Sequence, residues 1–273
     1  LVGAPVGELV KRLNTLPFHG SIHGFEFRTR HHFDFNSVRS FFIFLLVGDC
    51  MKLNAKSAYQ LLIDGVIQES NDFNKPENRW IKHCVFAGVA AGRIARRLGL
   101  DGDFAEACGY LHDVGRKISH PAHVVEGYRY LKSRGYDEMA RYCITHSFVD
   151  NDIRLTAGGP LRTDTEALVA PYLETHPATI YDNIVQLCDL FCLDSGFTTV
   201  EKRLLDISVR KGVYSNSYEH FCSALNLKSK IEKQMGCSLY SLFPEISSVD
   251  LSNVFSDYQK LESLLIQSPV KKK

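Results

Sequence analysis

The sequence predicts an all-α fold from three features. Apolar residues recur at helical spacing over most of the chain, residues that start and stop helices bracket those runs, and strand-like alternation is sparse. With 273 residues, 45% of them hydrophobic and 23% charged, the chain has ordinary globular composition and is long enough to bury a large core. A formal net charge of +1 provides no general attraction to a polyanion or a membrane surface. The longest apolar run, "FFIFLLVG" at 41–48, is far shorter than the roughly 20 residues that span a bilayer. Eight cysteines, at 50, 84, 108, 143, 188, 192, 222 and 237, form no close zinc-type pairs and lie mostly in apolar runs. They read as buried, reduced thiols of a cytoplasmic protein, and "CDLFC" at 188–192 reads as one packed helix face.

The first 50 residues open with Leu, carry four of the eleven histidines and keep no sustained period, so 1–50 is expected to be an extension, non-native or translated from upstream, with Met51 the natural start. "MKLNAKSAYQLLIDGVIQ" begins a helical recurrence, and 51–262 is expected to be one helical domain followed by a basic tail, 263–273. Asn74 and Pro76 open a helix that carries His83 and closes at Gly99. Asp103 and Glu106 form a capping-box pattern for the next helix, which places His112 and Asp113 in its last turn before Gly115. Pro121 starts a third helix with His123 near its beginning, and "DEMARYCITHS" forms a fourth with His146 near its end. Residues 148–176, punctuated by "TAGGP", "RTDTE" and "THP", read as a long loop with one helical turn at most, from which Asn151, Arg154 and Arg162 are candidates to reach a ligand. The helical pattern resumes at 178–196 with Asp189 among apolar residues, and two further helices are expected near 200–211 and 217–235.

Polar residues on otherwise apolar helices are informative because burying them costs free energy unless they find partners. Five places qualify: His83, His112 with Asp113, His123, His146 and Asp189. A lone helix histidine is usually a satisfied core or surface residue, and Asp189 alone reads as a cap or an arginine's partner. Their arrangement changes that reading. Separate helices supply His, His-Asp, His, His and Asp, as ligands around a shared metal would.

This pattern resembles the HD superfamily of metal-dependent phosphohydrolases. "LHDVGR" at 111–116 is similar to the family's "HDIGK" stretch, "HPAHVVEGYRYL" to its following helix, "CITHS" to the next histidine helix and "VQLCDLF" to the helix bearing the closing Asp. The resemblance covers roughly 75–195. It implies an HD-type helical bundle with a metal site between helices, in which His83, His112, Asp113 and Asp189 hold one divalent ion. His123 and His146 add a second, with Asp113 bridging. Carboxylate and imidazole ligands suit iron, manganese or related divalent ions rather than a thiolate zinc site; iron or manganese is preferred, with magnesium, nickel, cobalt or zinc as alternatives. The implied activity is hydrolysis of a phosphomonoester or phosphodiester, with a small phosphorylated substrate, a nucleotide above all, as partner. Asp113 and His112 are then catalytic, and Arg116 and Lys117 are candidate phosphate clamps. Cations at a helix C-terminus are also expected from the helix dipole alone.

Two departures narrow the class. The cyclic-dinucleotide branch has a paired His-His followed by Gly-Tyr-Pro, whereas this chain has "THSFVDND", with Ser147 in the second position. Guanosine-tetraphosphate hydrolases follow the His-Asp pair with acidic residues, where this chain has Gly115 and Arg116. Two other readings stay open: the HD-type di-iron oxygenases related to inositol and aminophosphonate oxygenases, which share the ligand order, and a non-catalytic HD-like signalling module. His120, three residues before His123, reads as a loop residue that supports the site, with a ligand role in place of His123 as the alternative.

Overall fold

A computed structural model of the chain describes residues 53–67, 74–157 and 161–248. Every described residue lies in one compact unit, within Asp49–Lys273. The expectations for 1–50 and for the tail at 263–273 fall outside the described residues.

The fold is all-α, with one short hairpin among the described residues. Helix α1 spans Ala55–Ile63 and is capped by Asn54, whose Oδ1 accepts from the Ser57 N–H at 2.8 Å. A 3₁₀ turn at Pro76–Asn78 leads into α2, Arg79–Arg97. Helix α3, Gly102–Leu111, packs closely against α2, because Gly88 and Gly109 face one another: a Cβ on Gly109 would lie 2.6 Å from the Gly88 Cα. The cap of α3 is Asp101, not Asp103. Asp101 accepts from the N–H groups of Asp103 and Phe104, and the Asp103 carboxylate instead accepts from the Ala55 N–H at 3.2 Å.

After α3 come a 3₁₀ turn at Val114–Lys117, α4 at His123–Lys132 and α5 at Asp137–Thr145. Pro121 precedes α4, which opens at His123 itself. The stretch 148–176, expected to be a loop with one helical turn at most, holds a 13-residue helix, α6 at Thr163–Thr175, preceded by a 3₁₀ turn at Val149–Asn151. "RTDTE" is a helix start and not punctuation: Asp164 and Glu166 sit in the first turn, where they favour the helix dipole. Val169 and Leu173, at i and i+4, bury against Val124, Ile144 and Phe148, and that packing outweighs Pro171 inside the helix.

Helix α7, Ile180–Asp189, begins with a capping box between Thr179 and Asp182. It ends at Asp189, so Cys192 is not on one helix face with Cys188. Cys192 lies in strand β1, Cys192–Leu193, paired antiparallel with β2, Gly196–Phe197. Helices α8 (Val200–Lys211), α9 (Ser217–Met235) and the short α10 (Leu239–Leu242) complete the described part. Two apolar clusters meet along α2 and α7. One joins Ala87, Ala91, Ile94, Ile184 and Leu187 to α8, α9 and α10, and the other joins Ile81, Cys84 and Val185 to α1, α3 and α5. The described cysteines are free thiols, and Cys84, Cys108, Cys143, Cys188 and Cys192 are buried. No helix among the described residues is long and apolar enough to cross a membrane.

Candidate metal centre

The sequence-predicted ligands are brought together from five helices. His83 lies in the first half of α2, His112 is the C-cap of α3, and Asp113 follows it. His123 opens α4, His146 is the C-cap of α5, and Asp189 closes α7. His112, His146 and Asp189 stand at helix C-terminal ends and His123 at a helix start. Each histidine bonds a backbone carbonyl. His112 Nδ1 donates to the Gly109 carbonyl at 2.7 Å, His123 Nδ1 to His120 at 2.9 Å and His146 Nδ1 to Tyr142 at 3.0 Å. His83, mid-helix, donates from Nδ1 to the Cys192 carbonyl on β1 at 3.0 Å, a task that a helix continuing through Cys192 would not perform.

A carbonyl only accepts, so each Nδ1 carries the proton and each neutral ring presents Nε2 as a lone pair. Those lone pairs converge. His83 Nε2 is 3.2 Å from His112 Nε2 and 3.0 Å from Asp189 Oδ1, and His112 Nε2 is 4.0 Å from that same oxygen. Across the site, Asp113 Oδ1 lies 3.2 Å from His123 Nε2 and 3.5 Å from His146 Nε2, while its Oδ2 is 3.8 Å from His112 Nε2. Two ligand groups result, His83, His112, Asp113 and Asp113, His123, His146, each with its ligand atoms within 4.8 Å of one another, and Asp113 belongs to both. Asp113 Oδ1 is buried without a hydrogen-bond donor. A ring of acceptors around an unsatisfied carboxylate oxygen is a donor set that a cation would satisfy, so the residues present fit divalent metal binding.

The electrostatics agree. Burial lowers the basicity of His112 and His123 and brings His146 down to about 3, which keeps the imidazoles neutral and able to ligate. Burial opposes ionisation of Asp113, but the adjacent Arg116 guanidinium holds its carboxyl well below the usual range.

Of the two proposed clamps, only Arg116 is at the site. Its Nε donates to Asp113 Oδ2 at 2.5 Å. Lys117 points away and donates from Nζ to the Leu61 and Asp64 carbonyls at 2.6 and 2.8 Å, so the expectation that it clamps phosphate is corrected: it caps the C-terminal end of α1. His120 does not replace His123, since it supplies the carbonyl that orients His123. Ser147 Oγ lies 2.9 Å from His146 Nε2.

The cluster opens into a cavity of about 660 Å³, lined by His123, His146, Asp189 and Arg116 and by Arg203, Arg210 and Lys211 of α8. Of the loop candidates, Arg162 lines the cavity, with its guanidinium paired to Asp164 at 3.1 Å. Asn151 donates to the Leu173 and His176 carbonyls at the end of α6, and Arg154 pairs with Asp152. Sequence reasoning missed the α8 cations. Their signal was spacing, since 203, 207, 210 and 211 share one helix face.

Residues 80–193 match a family described as "HD domain". A short stretch is 45% identical over 40 residues to "Ribonuclease Y" of Rhodopirellula baltica. That match covers 15% of this chain and 8% of the relative. No solved structure matches.

Proposed function

We propose, on the premise of the match between residues 80–193 and the HD-domain family, that the protein is a metal-dependent phosphohydrolase acting on a small phosphate ester, with a nucleotide the favoured substrate. The observation that carries this reading is the shared carboxylate. Asp113 sits between two pairs of imidazole Nε2 atoms and keeps one buried oxygen without a donor. The proposed ligands are His83, His112, Asp113 and Asp189 on one side and Asp113, His123 and His146 on the other, for two divalent ions, iron or manganese first. Bound divalent ions supply Lewis acidity and activate water at neutral pH.

The chain's own residues account for the rest. The carbonyls of Gly109, His120, Tyr142 and Cys192 fix each imidazole in the ligating tautomer, as orienting partners do in metal sites generally. Arg116, mostly buried beside Asp113, presents a fixed positive charge at the mouth of the cluster, where it neutralises phosphoryl oxygens that gain charge during transfer. The cavity wall offers guanidinium and ammonium groups, which supports an anionic substrate over a neutral polyol.

The test is metal analysis of the purified protein combined with a panel of phosphatase and phosphodiesterase substrates, repeated on Asp113→Ala. Phosphate release under anaerobic conditions, lost together with bound metal in the variant, is the expected result. Turnover that requires oxygen assigns the protein to the oxygenase class, and activity that survives Asp113→Ala refutes the site.

A further inference from the structure

One wall of the cavity has no role in holding the ions. Helix α8 turns Arg203, Ile207, Arg210 and Lys211 to it. Asp206, on the same helix, braces the two guanidinium groups: it accepts from Arg203 Nη1 at 3.1 Å and from Arg210 Nε and Nη2 at 2.9 and 2.7 Å. The bracing is incomplete. Arg203 Nε is buried and donates to no acceptor among the described residues, although a buried donor left unpaired is costly. Among the described residues, Lys211 reaches only the Ala157 carbonyl, at 3.4 Å. Burial, with Arg116, Arg210 and Arg203 close by, pulls its amine below the usual value, against the opposing influence of Asp189. Cations that crowd one another around an unsatisfied donor are what an anion relieves.

We infer that Arg203, Arg210 and Lys211 form a second anion subsite that holds a phosphate group of the substrate other than the one transferred at the His/Asp cluster. The substrate class is therefore a small molecule with at least two phosphate groups, either a pyrophosphate-containing ester or a bisphosphate. A cavity of about 660 Å³ suits one ligand of that size. The inference rests on the phosphohydrolase reading for the identity of the transferred group, and on α8 alone for the second phosphate.

The experiment is calorimetric titration of the metal-loaded full chain with inorganic pyrophosphate and with orthophosphate, on the wild type, on Arg203→Gln with Arg210→Gln, and on Lys211→Gln. Each charge-assisted contact contributes roughly 1.5–3 kcal/mol, which is about tenfold or more in affinity. The double variant is expected to lose at least about tenfold in pyrophosphate affinity with metal content unchanged. Lys211→Gln, at the helix end where folding is least at risk, is expected to weaken pyrophosphate more than orthophosphate. Pyrophosphate affinities within about twofold of wild type in both variants overturn the subsite. A short oligoribonucleotide that competes more tightly than pyrophosphate overturns the small-molecule class. If no phosphate ester is hydrolysed but the α8 variants still lose pyrophosphate, the hydrolase reading fails and the subsite stands. If esters are hydrolysed and the variants bind pyrophosphate normally, the subsite alone fails.

Discussion

At the scale of single residues, Asp113 illustrates how a carboxylate becomes a metal ligand by elimination of its other partners. One oxygen is held by Arg116, and the other faces two imidazole nitrogens that have no proton to give. Asp113→Asn keeps the size and removes the charge, and the amide nitrogen it introduces faces lone pairs. We expect bound metal to fall by at least about tenfold, measured by elemental analysis after gel filtration. Acid acts on the same residues. His146, at about 3, and the lowered His112 and His123 bind fewer protons folded than unfolded. Unfolding therefore takes up protons as pH falls below the unfolded histidine value of about 6.5, and stability is lost in that direction at up to about 1.4 kcal/mol per pH unit for each such group. Asp113, lowered well below its usual range, adds a further loss once pH falls below about 3.9, the unfolded carboxylate value. Urea denaturation of chelator-treated protein at pH 7, 6 and 5 should show the midpoint falling with pH, and a flat profile would contradict the burial of neutral imidazoles.

At the scale of elements, two connections position the ligands. The 3₁₀ turn after Asp113 packs on α4 through Gly115 and Gly127. A Cβ on Gly115 would lie 2.0 Å from the His123 carbonyl and 2.4 Å from the Gly127 nitrogen, so any side chain there pushes α4, and His123 with it, away from Asp113. Gly115→Ala is expected to cost about 3 kcal/mol or more, beyond the usual range for overpacking because backbone must move, and to lower metal affinity in parallel. Thermal melting with and without added manganese measures both. The second connection is Asp182, fully buried, whose carboxylate accepts from Arg141, Thr145 and Thr179 and so joins the end of α5, next to His146, to the start of α7. Asp182→Ala leaves Arg141 without its buried partner and is expected to cost about 3–5 kcal/mol in chemical denaturation. Lys117 belongs at this scale too. As the cap of α1, Lys117→Met should lower stability by about 1–2 kcal/mol and leave metal content intact, whereas a phosphate clamp would leave stability intact.

At the scale of the whole molecule, the proposed ions would tie five helices together, so removing them is a stability experiment as well as an activity experiment. Free metal at a thousand times its Kd adds about 4 kcal/mol to the folded state. For a domain of this size that corresponds to a fall in Tm of roughly 8–16 °C on chelation. Differential scanning calorimetry checks it, and an unchanged Tm would mean the cluster holds no ion tightly.

What the sequence by itself determined was the helical class and the identity of the convergent residues. Both rest on local information: a period near 3.6, and polar residues in apolar helices that need partners. His83, His112, Asp113, His123, His146 and Asp189 were legible because their chain order and residue types form a pattern that no one helix explains. Tertiary structure decided the rest. It made 163–175 a helix, since Val169 and Leu173 find a core that local propensity cannot see. It ended α7 at Asp189 and turned the Cys192 carbonyl to His83. It sent the neighbours Arg116 and Lys117 in opposite directions, one to the carboxylate and one to a helix end. It also gathered Arg203, Arg210 and Lys211 onto the wall of the same cavity. Direction in space is a long-range property: which way a side chain points depends on what packs against its backbone, and spacing along the chain carries only half of that.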